Sequence, residues 1–256
     1  MAYTPDYRTW TGAPTAASTE VLDAGLRAYM LRVYNWMASG LLLTGVVSYG
    51  VANTSLINAF YAPVRTVSGG IGYHPTGLGY VVMIAPLAFV MILSFGVNKL
   101  SKSSAQALYW AFCAVMGASL ANIFLAYEGT SIARTFFITA GTFAAMSIWG
   151  YTTKADLTRM GSFLMMGLIG IIIAGLVNMF LGSAGLQFAI SVIGVLVFVG
   201  LTAYDTQRIR ATYVQYAHAE GLDEAAKRSV YDALALYLNF INLFMLILQL
   251  TGSRRE

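Results

Sequence analysis

Residues 162–181 read SFLMMGLIGIIIAGLVNMFL, a stretch without one ionisable side chain. An α-helix rises 1.5 Å per residue, so about 20 such residues cross a hydrocarbon core of roughly 30 Å. The neighbouring runs 132–151 and 185–204 are nearly as free of charge. Further runs at 30–52, 78–97, 106–127 and 230–250 bring the expected number of spans to seven. The last is interrupted by Asp232, Asn239, Asn242 and Gln249. The pattern predicts an all-α integral membrane protein, a seven-transmembrane-helix bundle over residues 26–256.

Composition points the same way. The 256 residues are 58% apolar and only 10% charged, against roughly 25% charged in soluble domains, whose surface must meet water. The net charge of +4 is spread over short gaps between apolar runs. Such scatter suits a topology signal better than a nucleic-acid surface. Residues 1–25, polar and containing Pro5 and Pro14, lack the signal-peptide pattern and are expected to form a disordered cytosolic tail. Cys113, the single cysteine, reads as a buried packing residue. His74 in the 53–77 loop and His218 before the last run are too isolated for a metal cluster.

Lysine and arginine set the expected orientation. With the N-terminus cytoplasmic, the inner segments hold Arg8, Arg27, Arg32, Lys99, Lys102, Lys154, Arg159, Arg208, Arg210, Lys227 and Arg228. The outer segments hold Arg65, Arg134, Arg254 and Arg255. The last two fit poorly outside, which leaves a re-entrant seventh segment as the alternative to a full span. Small residues at helix-contact spacing, among them Gly117/Ala121, Ala140/Ala144 and Gly141/Ala145, predict close backbone approach within the bundle.

Polar residues inside spans carry the functional information, because an unpaired charge there costs about 2.5–3.5 kcal/mol on insertion scales. Asp205 lies in TAYDTQR at the inner end of the sixth run. It reads either as an interfacial acid paired with Arg208 or Arg210, or as a carboxylate closing a cytosolic mouth. Asp232 and Asn239 are seven residues apart and share a helix face, with Asn242 three further on. That stripe serves either inter-helical hydrogen bonding or an ion route. Glu128 and Arg134, flanking an outer turn, are expected to pair; Asn122 and Asn178 read as packing amides.

Four stretches resemble the Bax inhibitor-1 (transmembrane Bax inhibitor motif) family, in its proteobacterial branch. They are LRAYMLRVYNWMASGLLLTG at 26–45, GYTTKADLTRMGSFLMMGLIGIIIA at 150–174, VFVGLTAYDTQRIR at 197–210 and ALALYLNFINLF at 233–244. The resemblance implies six helices around a central seventh. It also implies a pH-responsive calcium leak controlled by two aspartates on spans six and seven. Asp205 matches the first; Asn239 stands where the second is expected. Asp232 is then the one other acid on that face, and a basic residue closing the second span, Lys99 (or Asn98 in its place), is the family's gate partner. Arg208 is a second candidate partner, and Asp205 a candidate transient calcium ligand.

The leading expectation is a calcium or cation leak in the bacterial inner membrane, involving no cofactor and no nucleic acid. The alternative, also implied by the resemblance, is a contact regulator in a stress response, acting as modulator or substrate of a membrane-anchored protease through the N-terminal tail. No HExxH, GxGD or intramembrane Ser–His pattern is present, so no enzyme is expected.

Overall fold

The computed structural model describes residues 16–65, 71–96, 99–216 and 222–255. The elements are α1 (Ala16–Ala52), α2 (Ile57–Phe60), β1 (Tyr61–Arg65), β2 (Ile71–Pro75), α3 (Gly77–Gly96), α4 (Lys102–Leu120) and α5 (Ile123–Ala126). They continue with α6 (Gly129–Thr152), α7 (Thr158–Leu181), α8 (Ala184–Tyr216) and α9 (Leu222–Thr251). Helix ends follow local chemistry. Ser101 caps α4 by accepting from the Ser104 amide at 3.2 Å. At the far end of α7, Gly182 turns into the left-handed region at φ 59 and returns its N–H to Asn178 O at 2.8 Å.

Six helices among the described residues are long and apolar enough to cross a membrane: α3, α4 extended through α5, α6, α7, α8 and α9. Helix α1 is longer than any of these but is not among them. Tyr34, Asn35, Ser39, Thr44 and Ser48 dilute its apolar run. The outward surface is oily, with Phe180 84%, Phe95 79% and Phe137 73% exposed. Water would oppose that surface, whereas lipid covers it at no cost.

Helix α9 differs from the rest. Of its most apolar stretch 61% is buried, against 11–33% in the other five spans. It packs against α1, α4, α6 and α8, and its Leu236, Tyr237, Leu243 and Leu248 are fully enclosed. It runs without a break, and the residues after it are pinned beside the α5–α6 turn. Glu128 donates its amide to Ser253 O at 3.1 Å, and Arg255 to Ala126 O at 3.0 Å. A re-entrant hairpin is therefore not what this segment forms.

Three expectations need correction. Residues 16–25, read as part of the tail, already belong to α1, because Ala16 to Ala24 offer no helix breaker; residues 1–15 lie outside the described residues. The 53–77 loop is not structureless: β1 and β2 form an antiparallel ribbon with Pro63 opposite Tyr73. A two-stranded ribbon has only edge strands, where proline's missing N–H does little harm. Glu128 and Arg134 form no ion pair; Glu128 instead works through its backbone, accepting from Ser131 and Ile132 at the start of α6.

Small residues set the helix spacings. Gly117 lies against Thr44 O and Val47 of α1, and Gly150 lies against the Ala203 backbone of α8. A side chain at Gly150 would meet backbone, which cannot rotate away. Gly150→Val is therefore expected to lower stability by about 1–3 kcal/mol, read as a lower midpoint for thermal loss of the monodisperse detergent-solubilised protein. Gly141→Ala, facing open space, should leave that midpoint unchanged; equal loss in both would refute the α6–α8 contact.

Candidate site where helices α8 and α9 meet

The TAYDTQRIR segment, residues 202–210, lies in the second half of α8. Thr202 and Thr206 are fully buried and donate their hydroxyls to Phe198 O and Thr202 O, each at 2.8 Å. That self-satisfaction turns the next face of the helix, bearing Asp205, toward α9. Asp205 keeps 14% side-chain exposure, and both its oxygens are engaged. Oδ2 accepts from Asn239 Nδ2 at 2.7 Å, and Oδ1 pairs with Arg208 at 2.8 Å. Asn239 is buried, at 6% exposed, and an amide so placed needs a partner. Arg208 is 46% exposed, so water screens its half of the arrangement.

Asp232 lies two turns nearer the start of α9. Its Oδ2 accepts from the Tyr29 hydroxyl of α1 at 2.6 Å, and the Tyr29 ring leans on Tyr213 of α8 at 4.8 Å. The Asp205 and Asp232 charges repel each other, and Arg208 and Arg228 attract Asp232. Helix α9 is thus fastened twice, two turns apart, to α8 through Asn239 and to α1 through Asp232.

Other parts of the motif hold the scaffold. Gln207 accepts from the Leu157 amide at 2.9 Å and donates to Ala155 O at 2.8 Å. Arg210 donates to Tyr151 O at 2.8 Å, with its guanidinium 5.4 Å from the Tyr151 ring centroid. Together they clamp the α6–α7 turn onto α8. Within that turn, Asp156 accepts from the Thr158 amide at 2.9 Å. Bonds from Thr158 hold its carboxyl below the usual carboxylate range.

Some expected site residues stay apart. Asn242 is exposed and returns its amide to Leu238 O at 2.8 Å, within its own helix. Its three-residue offset from Asn239 rotates it off the interior face. Lys99 is exposed just beyond α3, its amide bonded to Gly96 O. No hydrogen bond or ion pair joins it to Asp205 among the described residues. Asn98 and His218 lie outside the described residues, and His74 sits in β2 opposite Ala62. Gln249 serves the far end of α9, accepting from Gln187 at 2.9 Å and Ser191 at 3.1 Å. Asn178 extends that chain by donating to Gln187 at 3.1 Å. Cys113 is buried and free, and its backbone O accepts from Thr44 at 2.9 Å.

Tyr29 and Gln207 were not singled out as partners by sequence reasoning, and Arg210, a candidate partner of Asp205, bonds Tyr151 O instead. The first two are tied to residues 203 and 50 positions away, beyond any local spacing rule. Among the described residues no three of His, Cys, Asp and Glu converge as a metal cage. Any cation at Asp205 would therefore meet one carboxylate, because Asn239 turns its Nδ2 donor toward it.

The sequence is similar to bacterial proteins along most of its length. A protein of Caulobacter vibrioides is 47% identical over 92% of this chain and 92% of its own. One of Rickettsia prowazekii is 45% identical over 94% and 96%. The Escherichia coli inner membrane protein YbhL is 44% identical over 91% and 94%. The profile of the family described as Inhibitor of apoptosis-promoting Bax1 matches residues 26–256, and the chain is a membrane protein of that Bax inhibitor-1 family.

Proposed function

We propose that this protein is a passive, pH-responsive leak for calcium or a similar cation across a bacterial inner membrane. In this reading α1 is the first of seven spans, α9 is the central one, the N-terminus is cytoplasmic, and the α8–α9 contact is the gate. The observation that carries the reading is the 2.7 Å bond between Asn239 and Asp205, which makes the one acid of the α8 motif a direct tie to the most buried helix. Carboxylate and amide oxygens are ligands that calcium accepts. With few ligands per site the ion is held weakly enough to leave, as conduction requires.

The gate has a sign. With Asp205 ionised, it accepts the Asn239 amide proton and holds Arg208. Protonation removes the ion pair and turns one acceptor oxygen into a donor, so acidification loosens the tie. Flux in vesicles loaded with a calcium-sensitive dye is expected to rise several-fold from pH 8 to pH 6. Asp205→Asn should flatten that profile. Flux equal to empty vesicles at every pH would refute conduction, and would favour a role exerted by contact with a partner.

Asn239→Asp supplies a sharper test. It would place two carboxylate oxygens at the distance now spanned by an amide bond, a pair that is stable only when a proton is shared. Closure would then require acid, so the pH dependence should reverse, with flux higher at pH 8 than at pH 6. An unchanged profile would remove Asn239 from the gate.

Seven spans place the two ends of the chain on opposite sides. Cys113 is buried, so introduced cysteines can be read against a silent background. In intact spheroplasts, a membrane-impermeant maleimide should label Arg254→Cys and spare Lys154→Cys until the cells are opened. The reverse pattern, or equal labelling of both, would overturn the orientation.

A further inference from the structure

Helices α1 and α6 both flank α9 yet scarcely touch each other. Between them lies a cavity of about 1050 Å³, open sideways, with Phe240 of α9 as part of its floor. Along α1 it extends from Arg27 to Tyr49, about 33 Å of helix at 1.5 Å per residue, close to the thickness of a hydrocarbon core. Ala140 and Ala144 of α6 border it. These small residues, spaced as for helix contact, here leave room where no helix packs.

Two polar groups lie toward one end. Arg27 stands at the mouth and has no ion pair among the described residues. Tyr151 borders the same end, since α8 joins Tyr151 through Arg210 and reaches Tyr29 through Tyr213. One turn deeper than Tyr151 is Ser147, 5% exposed, which belongs to the cavity wall and whose enclosed hydroxyl has no hydrogen-bond partner among the described residues. On the same helix, Thr139 and Thr152 satisfy theirs by donating to the carbonyl four residues earlier. Ser147 does not, so a polar group in the cavity wall is left without a partner.

From the mouth inward the order is guanidinium, hydroxyl, hydrocarbon wall. A phospholipid has the matching order: phosphate, ester carbonyl, acyl chain. Averaged over its length the cavity is about 9 Å across from wall to wall, slightly narrower than a helix of roughly 10–12 Å with its side chains. We propose that this crevice is a binding site for one anionic phospholipid from the leaflet at the Arg27 end. Arg27 takes the phosphate, Ser147 donates to an ester carbonyl, and one acyl chain lies against Phe240. The occupant thereby touches the residue next to Asn239 without entering the α8–α9 contact.

The test is independent of ion flux. The full chain is placed in phosphatidylcholine nanodiscs containing a little phosphatidylglycerol with a photoreactive acyl chain, and labelled peptides are mapped after irradiation. Labelling is expected to concentrate on the crevice faces of α1 and α6. It should fall several-fold in Arg27→Gln, in Ser147→Ala and in Ala144→Phe, which fills the space, but not in Leu176→Ala on the lipid-facing side of α7. Arg27→Gln changes an exposed residue, so it keeps the test open if Ala144→Phe fails to fold. Labels spread evenly over all lipid-facing helices would overturn the site. A phosphatidylcholine analogue labelling equally well would overturn the charge assignment. A co-purified polypeptide cross-linked at Ala144 would show that the crevice takes a protein instead.

Discussion

The bond from Asn239 to Asp205 exists because hydrocarbon offers neither group another partner. In water an amide and a carboxylate would each be solvated, and their pairing would contribute little. Within this bundle the same pair decides how α8 and α9 lie against each other. Most other polar groups inside the spans obey the same constraint. Thr44 joins Cys113 O and the Tyr237 hydroxyl; Tyr109 donates to Trp36 O at 2.9 Å; the Asn178–Gln187–Gln249 chain closes the opposite end. Interior polarity is thus gathered at the ends of α9 and along its contact with α1, and the lipid-facing surface is left apolar.

That distribution shows why a helix with four polar interruptions can be the most enclosed one. Asp232, Asn239 and Gln249 each find a partner on α1 or α8, so none of them needs water. Their spacing makes α9 a hub between neighbours. A helix as uniformly apolar as α7 has no such need, and only 11% of its most apolar stretch is buried. The polar residues that weaken the last run as a span by hydropathy are the ones that fix it in the interior.

Much of this was readable from the chain. Run length located six of the helices, because the hydrocarbon thickness sets a count of residues that sequence displays directly. The seven-residue spacing of Asp232 and Asn239 placed both on the inward face, and Asp205 stood out as an acid in a nearly charge-free region. Partner identity was less readable. Helical spacing favours Arg208, three residues from Asp205, over Arg210, five away and 200° of rotation beyond Arg208, but nothing local shows that Arg210 turns to Tyr151. Rotation on the helix is also what took Asn242 off the inward face. The ribbon at 61–75 escaped notice because proline and glycine in its strands resemble a loop.

The asparagine at position 239 bears on how a proton can act at this contact. A pair of acids records proton binding in the contact itself, since closure and the shared proton are one event. An acid facing an amide separates the two. In the proposed gate the hydrogen bond from Asn239 is held best while Asp205 is ionised, and an arriving proton also competes with Arg208 for the carboxylate. Arg208 is partly exposed, so salt and the electrostatics of the nearby lipid surface reach it. Arg27 borders the crevice on the neighbouring flank of α9, so in the proposed reading two exposed arginines stand near the Asp205 contact. Under the proposed gate, an amide at position 239 leaves the Asp205 carboxylate divided between a buried donor and a partly exposed arginine.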